Sequence, residues 1–435
     1  FKLIPQLYEF YISDYYGDKV LSEHIMSRLN WDKTLQNQET YNEINSNLEI
    51  VDISSKVNKT HWSAYFLNLQ KIIDLCWEAG SLVGPGRGSG VGFILLYILG
   101  ITQINPLRET TKTFSWRFLN PNRVSVLDVD FDIEGSRREK VLNTFRQYYG
   151  QDRVANVATF GTEKSKSAIL TAARGLGIDV DIAQYLSSLI PSDRGLLRTL
   201  DQCMYGDEEN DYKPIKQFVF EMTENYPEIW EVAHKIEGLV CRMGVHAGGV
   251  VFKDEDFTES GALMRAPDGT IITQFELHDL EDCGDIKYDA LSVEAMDKIH
   301  NCLDLLVEYE YVEAESTLKE TYEKVIGVYN LERNEPEMWK MIWEHKITSL
   351  FQMEQQSGIQ GIALVKPKSV DDLATLNSVI RLMAQEKGAE QPLNKFARFK
   401  ENINLWYDEM KQYGLTEEEI KVLEPIVKIS YGICE

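Results

Sequence analysis

The sequence predicts an α+β fold, and three patterns predict it. The run Val126-Leu127-Asp128-Val129-Asp130-Phe131-Asp132-Ile133 alternates apolar and acidic residues without an error, the period of a strand with one face in a core. Trp62, Tyr65, Phe66, Leu69, Ile72, Ile73 and Cys76 recur at helical spacing, and Gly80 stops that helix. From Ser292 onward the pattern is mostly helical to the end.

The remaining elements follow in chain order. The first 60 residues are polar and mixed, with aromatic clusters (Tyr8, Phe10, Tyr11, Tyr15, Tyr16), and predict helices with loops. Ser81 to Gly90 reads as a short strand running into a glycine-rich turn, with a buried helix behind it that ends near Gly100. Ser136-Arg137-Arg138-Glu139 has the form of a capping box and opens a helix through Tyr149. A strand is expected over residues 153–159 and a helix over 162–177. Residues 178–236 read as helices and loops with an acidic patch at Asp207, Glu208, Glu209 and Asp211. Two further strands are expected at 248–252 and 285–290, and no internal repeat is present.

With 435 residues the chain is long enough for two to four domains. No run approaches the roughly 18 apolar residues of a membrane span, so no membrane partner is expected. The chain begins at Phe1 without a signal-peptide pattern, and the absent initiator Met points to a fragment or a processed chain. Six cysteines are scattered without a Cys-x-x-Cys pair, which fits a reducing cytoplasm and argues against a disulfide framework. The net charge of −24 argues against simple coating of nucleic acid. Between Ser81 and Gly175, however, 13 Lys/Arg face 8 Asp/Glu, a net of +5, so the rest carries −29. A basic middle with an acidic triplet inside it suits polyanionic substrates held partly by metal.

Three carboxylates on one strand face, roughly 7 Å apart, call for a neutralising cation. The hard cations that prefer carboxylate oxygens are magnesium, manganese and calcium. The other reading is an edge strand with a solvated acidic face. Strand, glycine turn and helix start together present backbone N–H groups to an anion. Ser89 is placed to cap that helix and to donate to phosphate, and Arg87 adds a forked donor. The turn is neither a Walker A loop nor a G-x-G-x-x-G motif, and a plain tight turn is the alternative. Asp285, Lys287 and Asp289 alternate and share a face. Gly244-Val245-His246-Ala247-Gly248-Gly249 reads as a compact loop holding one His, structural or functional. Carboxylates, a phosphate-cradling turn and nearby Lys/Arg are the parts of two-metal phosphoryl or nucleotidyl transfer.

The motifs in their order resemble the bacterial C-family replicative DNA polymerases, the polymerase III alpha subunit. The matching runs are Val83-Gly84-Pro85-Gly86-Arg87-Gly88-Ser89, Leu99-Gly100-Ile101-Thr102 and Arg117-Phe118-Leu119-Asn120-Pro121-Asn122-Arg123-Val124. They continue through Asp128-Val129-Asp130-Phe131-Asp132, Tyr149-Gly150-Gln151-Asp152-Arg153-Val154 and Thr159-Phe160-Gly161-Thr162. Later come His246-Ala247-Gly248-Gly249-Val250-Val251, Lys287-Tyr288-Asp289 and Leu350-Phe351-Gln352-Met353-Glu354. The resemblance covers about residues 75–435.

It implies a polymerase beta-like nucleotidyltransferase palm at 1–160 and 241–292, an inserted helical thumb at 161–240, and incomplete helical fingers at 293–435. It implies Asp128, Asp130 and Asp289 as catalytic ligands of two Mg2+ ions, with Mn2+ as a substitute. Arg87, Gly88, Ser89, Arg117, Lys287 and Arg381 are implied contacts of the nucleotide. Lys164, Lys166, Arg174 and His246 are implied contacts of DNA, and Asp132 a supporting residue. The implied partners are primer-template DNA, deoxynucleoside triphosphates and replisome subunits such as a sliding clamp, reached through regions absent here. The implied location is a bacterial cytoplasm or a virus-infected bacterial cell.

The sequence departs from the family in places. Leu127 stands where a proline is usual, and of a Tyr-Arg-Pro-Gly run only Arg381 survives. The N-terminal PHP domain has no counterpart, and the chain stops at a mid-fingers motif, Tyr431-Gly432-Ile433-Cys434-Glu435. These departures point to a core piece of a divergent, viral or otherwise remote polymerase. The alternative they leave is a catalytically incomplete fragment that binds DNA or a partner.

Overall fold

The computed structural model describes residues 16–109, 113–122, 127, 129–193, 196–209, 212–331, 333–382 and 390–433. It is a mixed α/β structure. Its strands are β1 (Asp130–Ile133), β2 (Val154–Thr162), β3 (Ser192–Asp193), β4 (Leu196–Leu197), β5 (Val240–Phe252), β6 (Leu263–Arg265), β7 (Ile271–Thr273) and β8 (Lys287–Ser292). Six of them form one mixed sheet in the order β1-β8-β5-β2-β7-β6, and β3 and β4 form a separate hairpin. The chain divides into two compact units, residues 1–145 with 290–435, and residues 146–289. β8 runs from the second unit into the first. Among the described residues no helix is long and apolar enough to cross a membrane.

In the larger unit the helices Tyr16–Trp31, Gln38–Asn58 and Trp62–Glu78 come first. The last buries all seven residues of the expected apolar stripe. Phe66 packs its ring 5.9 Å from Phe93 and 6.4 Å from Phe118, which closes the core beneath the glycine-rich turn. The period of two holds through β1 and the residues before it: Leu127, Val129, Phe131 and Ile133 are buried, while Asp130 and Asp132 are half-buried. The short strand expected to lead from Ser81 into the glycine-rich turn is reduced to a bridge between Val83 and Ile133. Every described secondary-structure element after Ser292 is a helix, beginning with Glu294–Glu308.

The helix Arg138–Tyr149 starts where expected, but its cap differs. Asp297, from the helix Glu294–Glu308, accepts from Gly135 N (3.0 Å), Ser136 N (3.1 Å) and Ser136 Oγ (2.5 Å). An acceptor 161 positions away in sequence thus satisfies the turn that the local capping box was expected to serve. Burial works against the Asp297 charge, but the hydrogen bonds from Ser136 and Gly135 outweigh it and hold the carboxyl below its ordinary value. Because the folded value is depressed, this contribution is present at neutral pH and is lost as pH falls through it. Asp297→Ala is expected to cost about 1 kcal/mol in urea unfolding at pH 7, and the difference from wild type should shrink as pH falls below the ordinary carboxylate range. A pH-independent difference would contradict the assignment.

In the smaller unit β2 and β5 pair antiparallel along their length. Here the sequence reading needs correction: the Gly244–Gly249 segment, expected as a loop, lies inside the 13-residue strand β5. Asn156 pairs with Val250 and Ala158 with Val245, so His246 to Gly249 bulge opposite the single residue Val157. The glycines serve the bulge rather than a loop. The helices Ser165–Gly175, Val180–Ser188 and Pro227–Ile236 enclose a second core around Ile169, Leu186, Phe218 and Ile229. β3, β4, β6 and β7, each two or three residues long, are not anticipated by the sequence pattern.

Candidate catalytic residues

In the larger unit the glycine-rich turn is fastened to β1. Gly84 N donates to Asp132 O (2.9 Å), and a Cβ on Gly84 would lie 2.8 Å from the Asp132 Cβ, so only glycine fits. Arg87 donates through Nε (3.0 Å) and Nη2 (2.9 Å) to Asp132 Oδ1, and its guanidinium lies 5.5 Å from the Phe351 ring centroid. Asp132 therefore orients Arg87. Gly88 has a φ of +66°, and both Gly88 and Ser89 are exposed. The Ser89 cap is corrected: Gly88–Gly92 is a 3-10 turn whose N-cap is Arg87, and the helix Ile94–Ile98 starts later, behind Phe93. The Ser89 side chain is thus presented outward from the turn.

Asp130 stands on β1 with its neighbours Val129 and Phe131 buried beneath it. Asp128 lies outside the described residues, as does Arg123. Arg117 ends a short 3-10 turn, Ser115–Arg117, and is exposed. Arg381 Nη2 donates to Gln352 Oε1 (2.6 Å), which also accepts from Asn377 Nδ2 (2.8 Å). The Leu350–Glu354 motif and Arg381 are therefore in contact within this unit.

Sequence reasoning missed Glu134, the residue that directly follows β1. Its side chain is 3% exposed. Oε1 accepts from Leu82 N (2.5 Å) and lies 2.7 Å from His300 Nδ1, and Glu134 N donates to Ser81 Oγ (3.1 Å). One carboxylate thus ties the entry of the glycine-rich turn, the end of the aspartate strand and the helix Glu294–Glu308 together. The odd signal in the sequence was an acidic residue where the alternation predicts the next polar face but no solvent reaches.

In the smaller unit Asp289 lies on β8 opposite Gly249 of β5, and Lys287 opposite Val251. Lys287 Nζ bonds Asp289 Oδ2, and both residues are buried. His246 Nδ1 accepts from Gly248 N (3.2 Å) and Gly249 N (2.6 Å), which puts the proton of the neutral ring on Nε2. That same Nδ1 lies 3.7 Å from Asp289 Oδ1 and has no proton to offer it. Asp289 Oδ1 is buried and finds no hydrogen-bond donor among the described residues. An acceptor left so costs on the order of 1–3 kcal/mol, more when charged. A carboxylate oxygen in that condition fits a hard divalent cation. A Cβ on Gly249 would lie 2.8 Å from His246 Nδ1 and 3.1 Å from Lys287 Cδ, so the backbone must approach closely there. Gly249→Ala is expected to displace Lys287 or His246 and to destabilise by about 1–3 kcal/mol; unchanged urea unfolding would contradict this.

Asp285 pairs with Lys253 Nζ (2.8 Å) in place of extending the Lys287–Asp289 group. Lys164 is exposed at the N-cap of the helix Ser165–Gly175, Lys166 is half-buried in its first turn, and Arg174 is exposed in its last. Among the described residues no group of three His, Cys, Asp or Glu gathers as a metal cluster.

The comparisons agree on a family. The bacterial DNA polymerase III alpha NTPase domain matches residues 18–292, and the bacterial DNA polymerase III alpha subunit finger domain matches residues 311–434. A probable DNA polymerase YorL of Bacillus subtilis (strain 168) is 43% identical over 399 residues, 91% of this chain and 30% of that protein. The DNA-directed DNA polymerase of Bacillus phage SPbeta gives the same values, 43% over 399 residues. The DNA polymerase III subunit alpha of Thermus aquaticus is 30% identical over 379 residues, 87% of this chain and 29% of that protein. The chain spans about 30% of the length of these curated relatives.

Proposed function

The chain belongs to the bacterial DNA polymerase III alpha family, and from that premise we propose that it carries the nucleotidyl-transfer core of a DNA-directed DNA polymerase. The single observation that carries the residue assignment is the buried, donorless Asp289 Oδ1 beside a His nitrogen that is itself an acceptor. Residues 1–160 and 241–292 form the palm in this reading, 161–240 the thumb and 293–435 the incomplete fingers.

Asp128, Asp130 and Asp289 would hold Mg2+, or Mn2+ in its place, which when bound lowers the pKa of the primer 3′-hydroxyl and stabilises the leaving pyrophosphate. Lys287 holds Asp289 Oδ2, so the carboxylate presents Oδ1. Arg87 is held by Asp132, with Gly88 and Ser89 exposed beside it for the triphosphate. The missing Cβ at Gly88 leaves its backbone open to a phosphate oxygen. Arg117 and Arg381 add positive charge to the nucleotide, and Lys164, Lys166 and Arg174 grip the DNA backbone as non-specific phosphate contacts. His246, with Nδ1 engaged, has Nε2–H to offer a phosphate or a water. The substrates are primer-template DNA and deoxynucleoside triphosphates. A sliding clamp or other replisome subunits are the further partners in this reading.

Primer extension by the full protein tests this: deoxynucleotide incorporation that stops on chelation and returns with Mg2+ or Mn2+ is expected. Metal-independent incorporation, or none in any divalent cation, contradicts it. Affinity for primer-template should also fall steeply with salt, with a log–log slope of about −3 or steeper if three or more phosphates are neutralised. A flat response overturns the Lys164, Lys166 and Arg174 assignment. The span of about 30% of the relatives' length favours a second reading, in which these 435 residues bind DNA without extending it. Retained primer-template binding without extension by this chain alone, with extension by the full protein, would support that reading for the isolated segment.

A further inference from the structure

A second site stands in the larger unit, apart from the carboxylates. A cavity of about 640 Å³ opens between the end of the helix Tyr16–Trp31, the segment 97–108 and the helix Leu318–Ile326 with the turn behind it. That volume suits a ligand of nucleotide size. Its lining carries four cations, Arg28, Lys33, Arg108 and Lys319, against two carboxylates, Asp32 and Glu323. The lining therefore carries a local excess of +2 in a chain of net charge −24. Asp32 is already engaged by Arg28 (3.6 Å) and by Thr34 N (3.0 Å), so it offers little charge to a ligand.

Aromatic rings interleave with the cations. Trp31 is 73% exposed on the rim, with the Arg28 guanidinium 4.5 Å from its ring centroid. Arg108 lies 4.1 Å from the Tyr329 ring centroid, and the Tyr329 hydroxyl is fixed by accepting from Asn105 N (2.7 Å) and bonding Glu109 Oε1 (3.2 Å). Trp77 and Tyr97 complete the ring-bearing wall. Thr102 lines the cavity at 4% exposure, and its buried Oγ1 has no hydrogen-bond partner among the described residues. The Arg28 Nε is likewise buried without one.

We propose that this cavity binds a nucleotide unit, the base stacked on the Trp31 and Tyr329 side and the phosphate held by Lys33 and Arg108. Stacking on exposed rings beside Arg and Lys is how proteins hold unpaired bases irrespective of sequence. Occupancy is felt at the glycine-rich turn, because Gln103, also in the lining, donates from N to Pro85 O (2.7 Å) and from Nε2 to Val83 O (2.8 Å). The unit can come from a free nucleotide or from a single strand of DNA. The inference does not need the polymerase reading, since no divalent cation takes part.

The test is binding by this chain in EDTA, where metal-held triphosphate is silent. Fluorescein-labelled dA12 is followed by anisotropy and dATP by calorimetry. Trp31→Ala and the double variant Lys33→Ala/Arg108→Ala should each weaken binding about fivefold or more, while Lys421→Ala, an exposed lysine outside the cavity, leaves it unchanged. If dATP alone binds with this sensitivity, the source is free nucleotide. If only dA12 does, the source is a DNA strand. Absence of binding by wild type, or cavity variants that match Lys421→Ala with both probes, overturns the proposal.

Discussion

Asp289→Asn is expected to lower the rate of primer extension by the full protein on the order of 10³-fold, with primer-template affinity kept within a few-fold. The change is isosteric and keeps an acceptor for Lys287, so the strand pairing with Gly249 and Val251 stands. What it removes is the charge on an oxygen that no described residue satisfies. Asp130→Asn should act alike, because Asp130 sits half-buried on β1 between the buried side chains of Val129 and Phe131. Asp132→Asn should act differently. Its carboxylate serves Arg87, so the expected effect is a raised KM for the nucleotide with a smaller loss in kcat. Equal losses at Asp130, Asp132 and Asp289 would mean the three carboxylates are interchangeable, and the division of roles would fail.

The largest structural effect is expected at Glu134. Glu134→Ala leaves the Leu82 N–H and His300 without their acceptor in a site that water does not reach, and should cost about 3–5 kcal/mol in urea unfolding. Glu134→Gln keeps an acceptor of the same shape and should cost about 1–2 kcal/mol. Amide exchange at Leu82 gives a local readout, with protection falling in the Ala variant before the global transition moves. A cost under about 1 kcal/mol, with Leu82 still protected, would show that another group has taken over the acceptor role. Since Leu82 leads into the turn that carries Gly88 and Ser89, the Ala variant should also raise KM for the nucleotide.

What was legible in the sequence was periodic and local. The alternation at 126–133 set which residues of β1 face the core, and the helix Trp62–Glu78 followed from its apolar spacing. The need for glycine at 84 follows from a contact with Asp132, 48 positions on, yet the glycine cluster itself announced a turn. What was not legible depends on partners remote in sequence. His246 to Gly249 look like a loop by composition, but β2 pairs on both sides of them and turns them into a bulge. Ser136 and Glu139 look like a capping box, but Asp297 supplies the stronger acceptor from another helix. Glu134 looks like the continuation of an acidic face, but it turns inward to His300, 166 positions away. Lys287 and Asp289 were read as sharing a face, and they do bond, whereas Asp285 of the same alternation goes to Lys253 because β8 begins only at Lys287.

Manganese binding in the presence of a deoxynucleoside triphosphate, measured by electron paramagnetic resonance on wild type and Asp289→Asn, tests the central claim most directly. The account predicts that the Asn variant binds Mn2+ on the order of tenfold or more weakly while it remains folded by circular dichroism. Equal Mn2+ affinity in the two proteins would contradict it, and Asp289 would then be a buried structural partner of Lys287 alone.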